Sequence, residues 1–178
     1  MLKKAEERKV SAETAATSVA ISDAGIETDG DAGWNQQDIV TSFEPFSFHE
    51  SIQKALADIG FTKPTPIQAS AIPTAMDGKD VLGRAMTGTG KTAAFVLPLM
   101  HRLLVDRASK KAPRKVVRFL ILVPTRELAT QIHNFITEVA KNTEPRVTSA
   151  TVFGQVSDKI ILKHFSKKKD FLVACPGR

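Results

Sequence analysis

From Phe43 onward, two hydrophobic patterns alternate along the chain: apolar positions recurring every three or four residues, and short runs that are almost continuously apolar. The first pattern predicts helices with one buried face, the second strands buried on both faces. After Ser47, the residues Ile52, Ala55, Leu56 and Ile59 share a helical face; Ser47 and Glu50 form a capping-box start and Gly60 closes the helix. A short helix is predicted from Thr65 to about Met76, with Thr65 as N-cap, Pro66 at the first helical position and Gln68 completing a capping box. Apolar runs predict strands at 81–85, 116–123, 147–153 and 171–175, separated by helical stretches at 91–106, 126–141 and 157–165. Such alternation implies an α/β fold: a parallel sheet with right-handed crossovers, helices on both faces, and ligand loops at the carboxyl ends of the strands.

Residues 1–42 are different. They are rich in Ala, Ser, Thr, Asp and Gly and carry only scattered large apolar residues, Trp34 among them, so they cannot cover a core and are expected to be disordered. They hold four basic and eight acidic side chains, net −4; with +6 for the whole chain, the remainder carries +10. That balance suits a surface that attracts phosphate backbones, although many unrelated domains are equally basic. Two basic clusters, one from Arg107 through Lys110, Lys111, Arg114 and Lys115 to Arg118, the other at Lys167, Lys168 and Lys169, are read as solvated loops.

The 178 residues, 42% apolar, suffice for one core. Cys175 stands alone, so no internal disulfide forms, which leans toward a reducing compartment. No apolar run approaches the roughly 20 residues that cross a bilayer, and the opening residues lack a signal-peptide core. A cytoplasmic location is expected. His49, His101, His133 and His164 are too dispersed for a metal site.

The chemistry concentrates in Ala85-Met86-Thr87-Gly88-Thr89-Gly90-Lys91-Thr92, between an apolar stretch and a helix. Gly88 and Gly90 permit backbone conformations that a Cβ would forbid, so successive N–H groups can turn inward around phosphate oxygens, aided by the positive end of the following helix. Lys91 would set an ammonium against the β- and γ-phosphates, and the Thr92 hydroxyl suits a Mg²⁺ bridging them. Ala85 stands where the strict phosphate-loop pattern has its first glycine. Upstream, Gln68 has two readings that can coexist: a helix cap, or an amide offered to the N6 and N7 edge of adenine.

Phe43, seventeen residues before Gly60, then Gly60-Phe61-Thr62-Lys63-Pro64-Thr65-Pro66-Ile67-Gln68 and the phosphate loop, resemble the DEAD-box ATP-dependent RNA helicases. Pro124-Thr125-Arg126-Glu127-Leu128-Ala129 is similar to that family's next motif, and Cys175-Pro176-Gly177-Arg178 to its Thr-Pro-Gly-Arg turn. The resemblance covers 43–178. It implies a RecA-like parallel sheet, incomplete at its C-terminal end, with a Q-motif region at 43–70 and a partial ATP-binding domain at 71–178. It also implies ATP and Mg²⁺ as ligands: Phe43 packing against the adenine, Lys63 and Gln68 on the nucleotide, Thr87, Gly88, Thr89, Gly90, Lys91 and Thr92 on the phosphates, with Lys91 and Thr92 serving the chemistry. RNA would meet Pro124, Thr125, Arg126, Gly154, Pro176, Gly177 and Arg178.

Two positions depart from that pattern, both on the RNA side: Gly154-Gln155 replaces a Gly-Gly pair, and Cys175 replaces threonine, exchanging a hydroxyl for a weak thiol donor. No Asp-Glu-Ala-Asp segment occurs in these residues. Phosphoryl transfer relies on positioning and charge stabilisation, so this polypeptide alone is expected to hydrolyse ATP negligibly. Two alternatives remain beside the helicase reading: a non-catalytic nucleotide- or RNA-binding fragment, and another phosphate-loop NTPase such as a DNA translocase.

Overall fold

The computed structural model describes residues 19–22, 25–28, 40–109, 117–154 and 169–176. In the N-terminal segment, β1 (Val19–Ser22) pairs antiparallel with β2 (Gly25–Thr28), Val19 opposite Thr28 and Ser22 opposite Gly25. The segment was expected to lack order; a two-stranded ribbon needs only a local turn, though in isolation it is marginal in water.

The remainder runs α1 (Glu50–Asp58), α2 (Pro66–Met76), α3 (Lys91–Ala108), β3 (Phe119–Leu122), α4 (Arg126–Val139), β4 (Ser149–Val152) and β5 (Phe171–Ala174), with 3₁₀ turns at Glu44–Phe46 and Ala140–Asn142. The three strands form a parallel sheet in the order β3-β5-β4. The predicted α/β class therefore holds, and its strands are shorter than the apolar runs because the ladder sets their ends. The last strand lies between the other two, which explains why Phe171, Leu172 and Val173 are all buried. In register, Leu122 lies beside Ala174 and Ala174 beside Val152. The bonds from Val123 N–H to Ala174 O (2.9 Å) and from Cys175 N–H to Val152 O (3.0 Å) extend the pairing one residue further. Three carboxyl ends are thereby set side by side.

One main core joins Phe43, Phe46 and Phe48 to Ile52 and Leu56 of α1, to α3 through Val96, Leu97, Met100 and Leu103, to α4 through Ile132, Ile136 and Val139, and to Ile121, Phe171 and Val173 of the sheet. The N-terminal aromatic segment is tied down further by His101 of α3, whose Nδ1 accepts the His49 N–H at 3.0 Å. Burial, and after it the neighbouring His49, hold the His101 pKa below its usual value.

Four expectations need correction. The helix after Ser47 is capped by His49, whose Nδ1 accepts the Ser51 N–H (3.3 Å); Ser47 instead closes the preceding 3₁₀ turn at φ 48°, so it is not placed to cap. Residues 79–86 form no strand: a strand needs a ladder partner, and none of the described strands lies beside this segment. The first described strand after them, β3, is buried on one face only, with Leu120 and Leu122 60% and 63% exposed. It is an edge strand, and nothing described covers that face. Finally, two arginines of the first basic cluster are not solvated. Arg107 pairs with Asp170, and Arg118 with Asp106 at 3.0 Å. Lys110, Lys111, Arg114, Lys115, Lys167, Lys168 and the helix predicted at 157–165 lie outside the described residues, while Lys169 is half-buried.

Asp170 organises the amino end of the sheet. Only 6% exposed, its carboxylate accepts the Thr148 N–H (2.8 Å) and hydroxyl (2.9 Å) besides pairing with Arg107. Its backbone oxygen accepts from Arg118 and Phe119 N–H, both at 3.0 Å. One residue thus fixes the starts of β3, β4 and β5 relative to the end of α3.

Candidate nucleotide and nucleic-acid sites

The glycine loop leads directly into α3, whose N-cap is Gly90. Gly88 and Gly90 have φ of 83° and 87°, the left-handed conformations expected of them. Gly90 has a second reason to lack a side chain: a Cβ would stand 2.3 Å from Gln68 Nε2. Gln68 is 2% exposed, and both ends of its amide are engaged. Its Oε1 accepts the Thr65 N–H at 2.9 Å, the return half of the predicted capping box, while Nε2 donates to Gly90 O at 3.1 Å. The Thr65 hydroxyl stands across the same turn as a capping box requires, yet Oγ1 is buried with no hydrogen-bond partner among the described residues. The helix start and the glycine loop, 22 residues apart, are thus physically joined.

Inside the loop, Lys91 Nζ donates to the carbonyls of Ala85 and Met86, and Thr89 Oγ1 donates to Met86 O at 2.8 Å. No carboxylate pairs with the ammonium among the described ion pairs. Nothing lies within 4 Å of where a Gly88 Cβ would be. A cation held only by neutral carbonyls beside open space can exchange them for phosphate oxygens without breaking a salt bridge, so the residues present fit a polyphosphate. Lys91 and Thr92 also line a cleft of about 540 Å³ running past Val81 and Gly83 to Leu120 and Leu122.

The aromatic assignments divide. Phe43 is buried, edge-on to Phe46 at 6.0 Å and stacked on Phe61 at 6.4 Å. Phe61, 36% exposed and also stacked on Phe135 at 6.1 Å, carries the accessible ring. Phe61 has no role in the sequence expectations; its place next to Gly60, at a helix stop where a core residue is not required, is the available signal. Lys63 is exposed in the loop before α2.

At the carboxyl ends of the strands, Pro124, Thr125, Arg126, Glu127, Gly154, Cys175 and Pro176 line a second cleft, of about 440 Å³. Sequence register explains the grouping: Pro124 follows β3, Gly154 follows β4, and Cys175 follows β5. Thr125 caps α4, its Oγ1 accepting the Leu128 N–H at 3.2 Å. Arg126 lies over the ring of Phe153, Cζ 5.8 Å from its centroid. Gly177, Arg178 and Gln155 lie outside the described residues. Among the described residues no group of His, Cys, Asp and Glu could hold a metal, and no helix is long and apolar enough to cross a membrane.

A parallel sheet flanked by helices, with a glycine loop opening a helix on a lysine and a threonine, defines an α/β phosphate-loop NTPase of the RecA-like type. Residues 65–178 match the family described as DEAD/DEAH box helicase, and the chain belongs to that family. It is 48% identical over 139 residues to the ATP-dependent RNA helicase SrmB of Escherichia coli (strain K12), covering 78% of this chain and 30% of that protein. The same identity over 139 residues relates it to the ATP-dependent RNA helicase DRS1 of Phaeosphaeria nodorum, covering 78% and 16%. It is 42% identical over 137 residues to the probable ATP-dependent RNA helicase ddx27 of Dictyostelium discoideum, covering 77% and 17%. The chain therefore spans less than a third of the length of these relatives.

Proposed function

We propose that this chain is the ATP-binding part of an ATP-dependent RNA helicase that binds ATP with Mg²⁺ and grips an RNA backbone. The observation that carries this reading is the bond from Gln68 to Gly90, because it joins a purine-reading amide to a phosphate-binding loop. To read adenine, Gln68 exchanges one or both of its internal bonds, to Thr65 N–H and Gly90 O, for the N6 and N7 edge. Adenine packing is assigned by resemblance to Phe43, which is stacked on Phe61, the more exposed of the two rings. Lys63 is placed on the nucleotide by resemblance alone.

The backbone N–H groups of Thr87–Gly90 and the Lys91 ammonium receive the phosphates, and Thr92 would hold the Mg²⁺. Magnesium supplies neutralisation of charge between the β- and γ-phosphates. On the other cleft, Pro124, Thr125, Arg126, Gly154 and Pro176, with Gly177 and Arg178, form the RNA-facing set, and Arg126 is its described cation. Strand separation by the whole protein is part of this proposal, as is a cytoplasmic location, which the lone buried Cys175 supports. The division at 42 and 70 is kept as a division of motifs, since 70 falls inside α2 and one core joins both sides of it.

Titration calorimetry tests the nucleotide half. ATP with Mg²⁺ is expected to bind in preference to GTP, Lys91→Ala to abolish the heat, and Gln68→Ala to reduce the preference for adenine. Absence of heat with the unaltered chain, or uptake indifferent to Lys91→Ala, would overturn the reading.

A further inference from the structure

We infer that Phe153 is a positioning residue whose ring holds the Arg126 guanidinium at the mouth of the cleft between the strand ends, where it meets the phosphates of single-stranded RNA. Resting on the RNA reading above, this places a specific demand on an aromatic side chain that the sequence patterns treat only as the end of a strand.

Arg126 is the first residue of α4. At that position the partial positive charge of the helix end repels a guanidinium, while it favours the neighbouring Glu127. The helix end thus does not favour Arg126, and part of its support comes from across the sheet. Phe153 directly follows β4, and Cζ of Arg126 stands 5.8 Å from its centroid, within the roughly 6 Å reach of a cation–π contact. The ring is a fixed platform, because Phe153 is half-buried and packed against the main core, whereas Arg126 itself is exposed. Gly154 continues the support: a Cβ there would be 3.6 Å from Arg126 Nη2, so the guanidinium lies against both residues. A contact through the face of the guanidinium is compatible with phosphate recognition through its N–H groups. Arg126 and Gly154 line a cleft whose other described lining residues, Pro124, Thr125, Glu127, Cys175 and Pro176, bring no second cation. The placement of Arg126 therefore weighs heavily on how an anionic backbone is held there.

Fluorescence anisotropy of a labelled oligouridine, titrated with the chain in ATP and Mg²⁺ over a series of salt concentrations, tests this. Phe153→Leu is expected to weaken RNA binding about twofold to fivefold, the range of an exposed cation–π contact. Phe153→Tyr should restore it, and ATP affinity should not change in either variant. In an Arg126→Ala background, Phe153→Leu should add nothing. Equal losses in both backgrounds, accompanied by a lower Tm, would identify Phe153 as core alone and overturn the inference. So would an Arg126→Ala loss with Phe153→Leu silent. Failure of the RNA reading looks different: Arg126→Ala would then leave both affinity and salt slope unaltered, and the positioning role would fall with it.

Discussion

The two ends of the sheet satisfy their polar groups in opposite ways. At the amino end, Asp170, Arg107, Thr148, Arg118 and Asp106 bind one another, and Asp170 is nearly sealed from water. At the carboxyl end and in the glycine loop, polar groups are exposed or held by bonds that a ligand can replace, as with Lys91 on two backbone carbonyls. Buried charge is tolerated only with complete pairing, so the amino end behaves as a clamp that fixes register. Register in turn brings Pro124, Gly154 and Cys175 together at the opposite end. Fold stability and ligand capture are therefore assigned to different ends of the same three strands.

Removing the clamp should produce the largest effect. Asp170→Ala strands the Arg107 guanidinium and the Thr148 N–H and is expected to cost about 3–5 kcal/mol in denaturant unfolding. A loss below about 1 kcal/mol would show that water reaches this end, and the contrast between the ends would disappear.

Next come the two loop glycines, which separate backbone strain from a specific clash. Gly90→Ala must adopt a left-handed conformation and also displace Gln68, so about 2–4 kcal/mol is expected together with a marked loss of ATP binding. Gly88→Ala meets nothing within 4 Å and should cost only the conformational part, about 1–2 kcal/mol. Equal costs for the two would mean that the Gln68 contact does not restrain the loop.

His101 offers a pH test of the packed region. As its folded pKa is depressed, protonation favours the unfolded chain. Stability from this group is therefore complete above the unfolded value of about 6.5 and declines as pH falls from there toward the folded value. His101→Ala should lose about 1–3 kcal/mol at pH 8 by orphaning the His49 N–H, and should flatten the decline below pH 6.5. Urea midpoints across pH 5–8 for both forms would reveal it, and an unchanged slope would exclude His101 as its source.

Which features could be read from the sequence follows from how local their causes are. The φ values of Gly88 and Gly90 and the Gln68 bond to Thr65 N–H depend on residues within a few positions, and the sequence predicted both. The full burial of 171–173 was legible as well, since a continuous apolar run needs both faces covered. The same reasoning failed for 81–85 and for β3, because a strand also needs neighbours, which a run of apolar letters does not supply. Ser47 lost its predicted capping role to a turn made by the three residues before it. Arg107 meets Asp170 from 63 residues away, and no periodicity carries that information. For the same reason Phe153 was invisible as the support of Arg126, although Arg126 itself was legible from its motif.

The smallest expected effect concerns the open face of β3. Leu120 and Leu122 project to the same side of an edge strand, where they are the most exposed of the described leucines. Since their side chains bury little, Leu120→Thr and Leu122→Thr should each change stability by no more than about 0.5 kcal/mol, threonine being a β-branched residue that suits a strand. Their consequence should lie in solution behaviour: an exposed apolar edge invites self-association, so light scattering at high protein concentration is expected to fall in the double variant. A cost above about 1 kcal/mol for either change would mean that this face is packed in solution, and the openness attributed to the loop-bearing side of the molecule would then belong to the clefts alone.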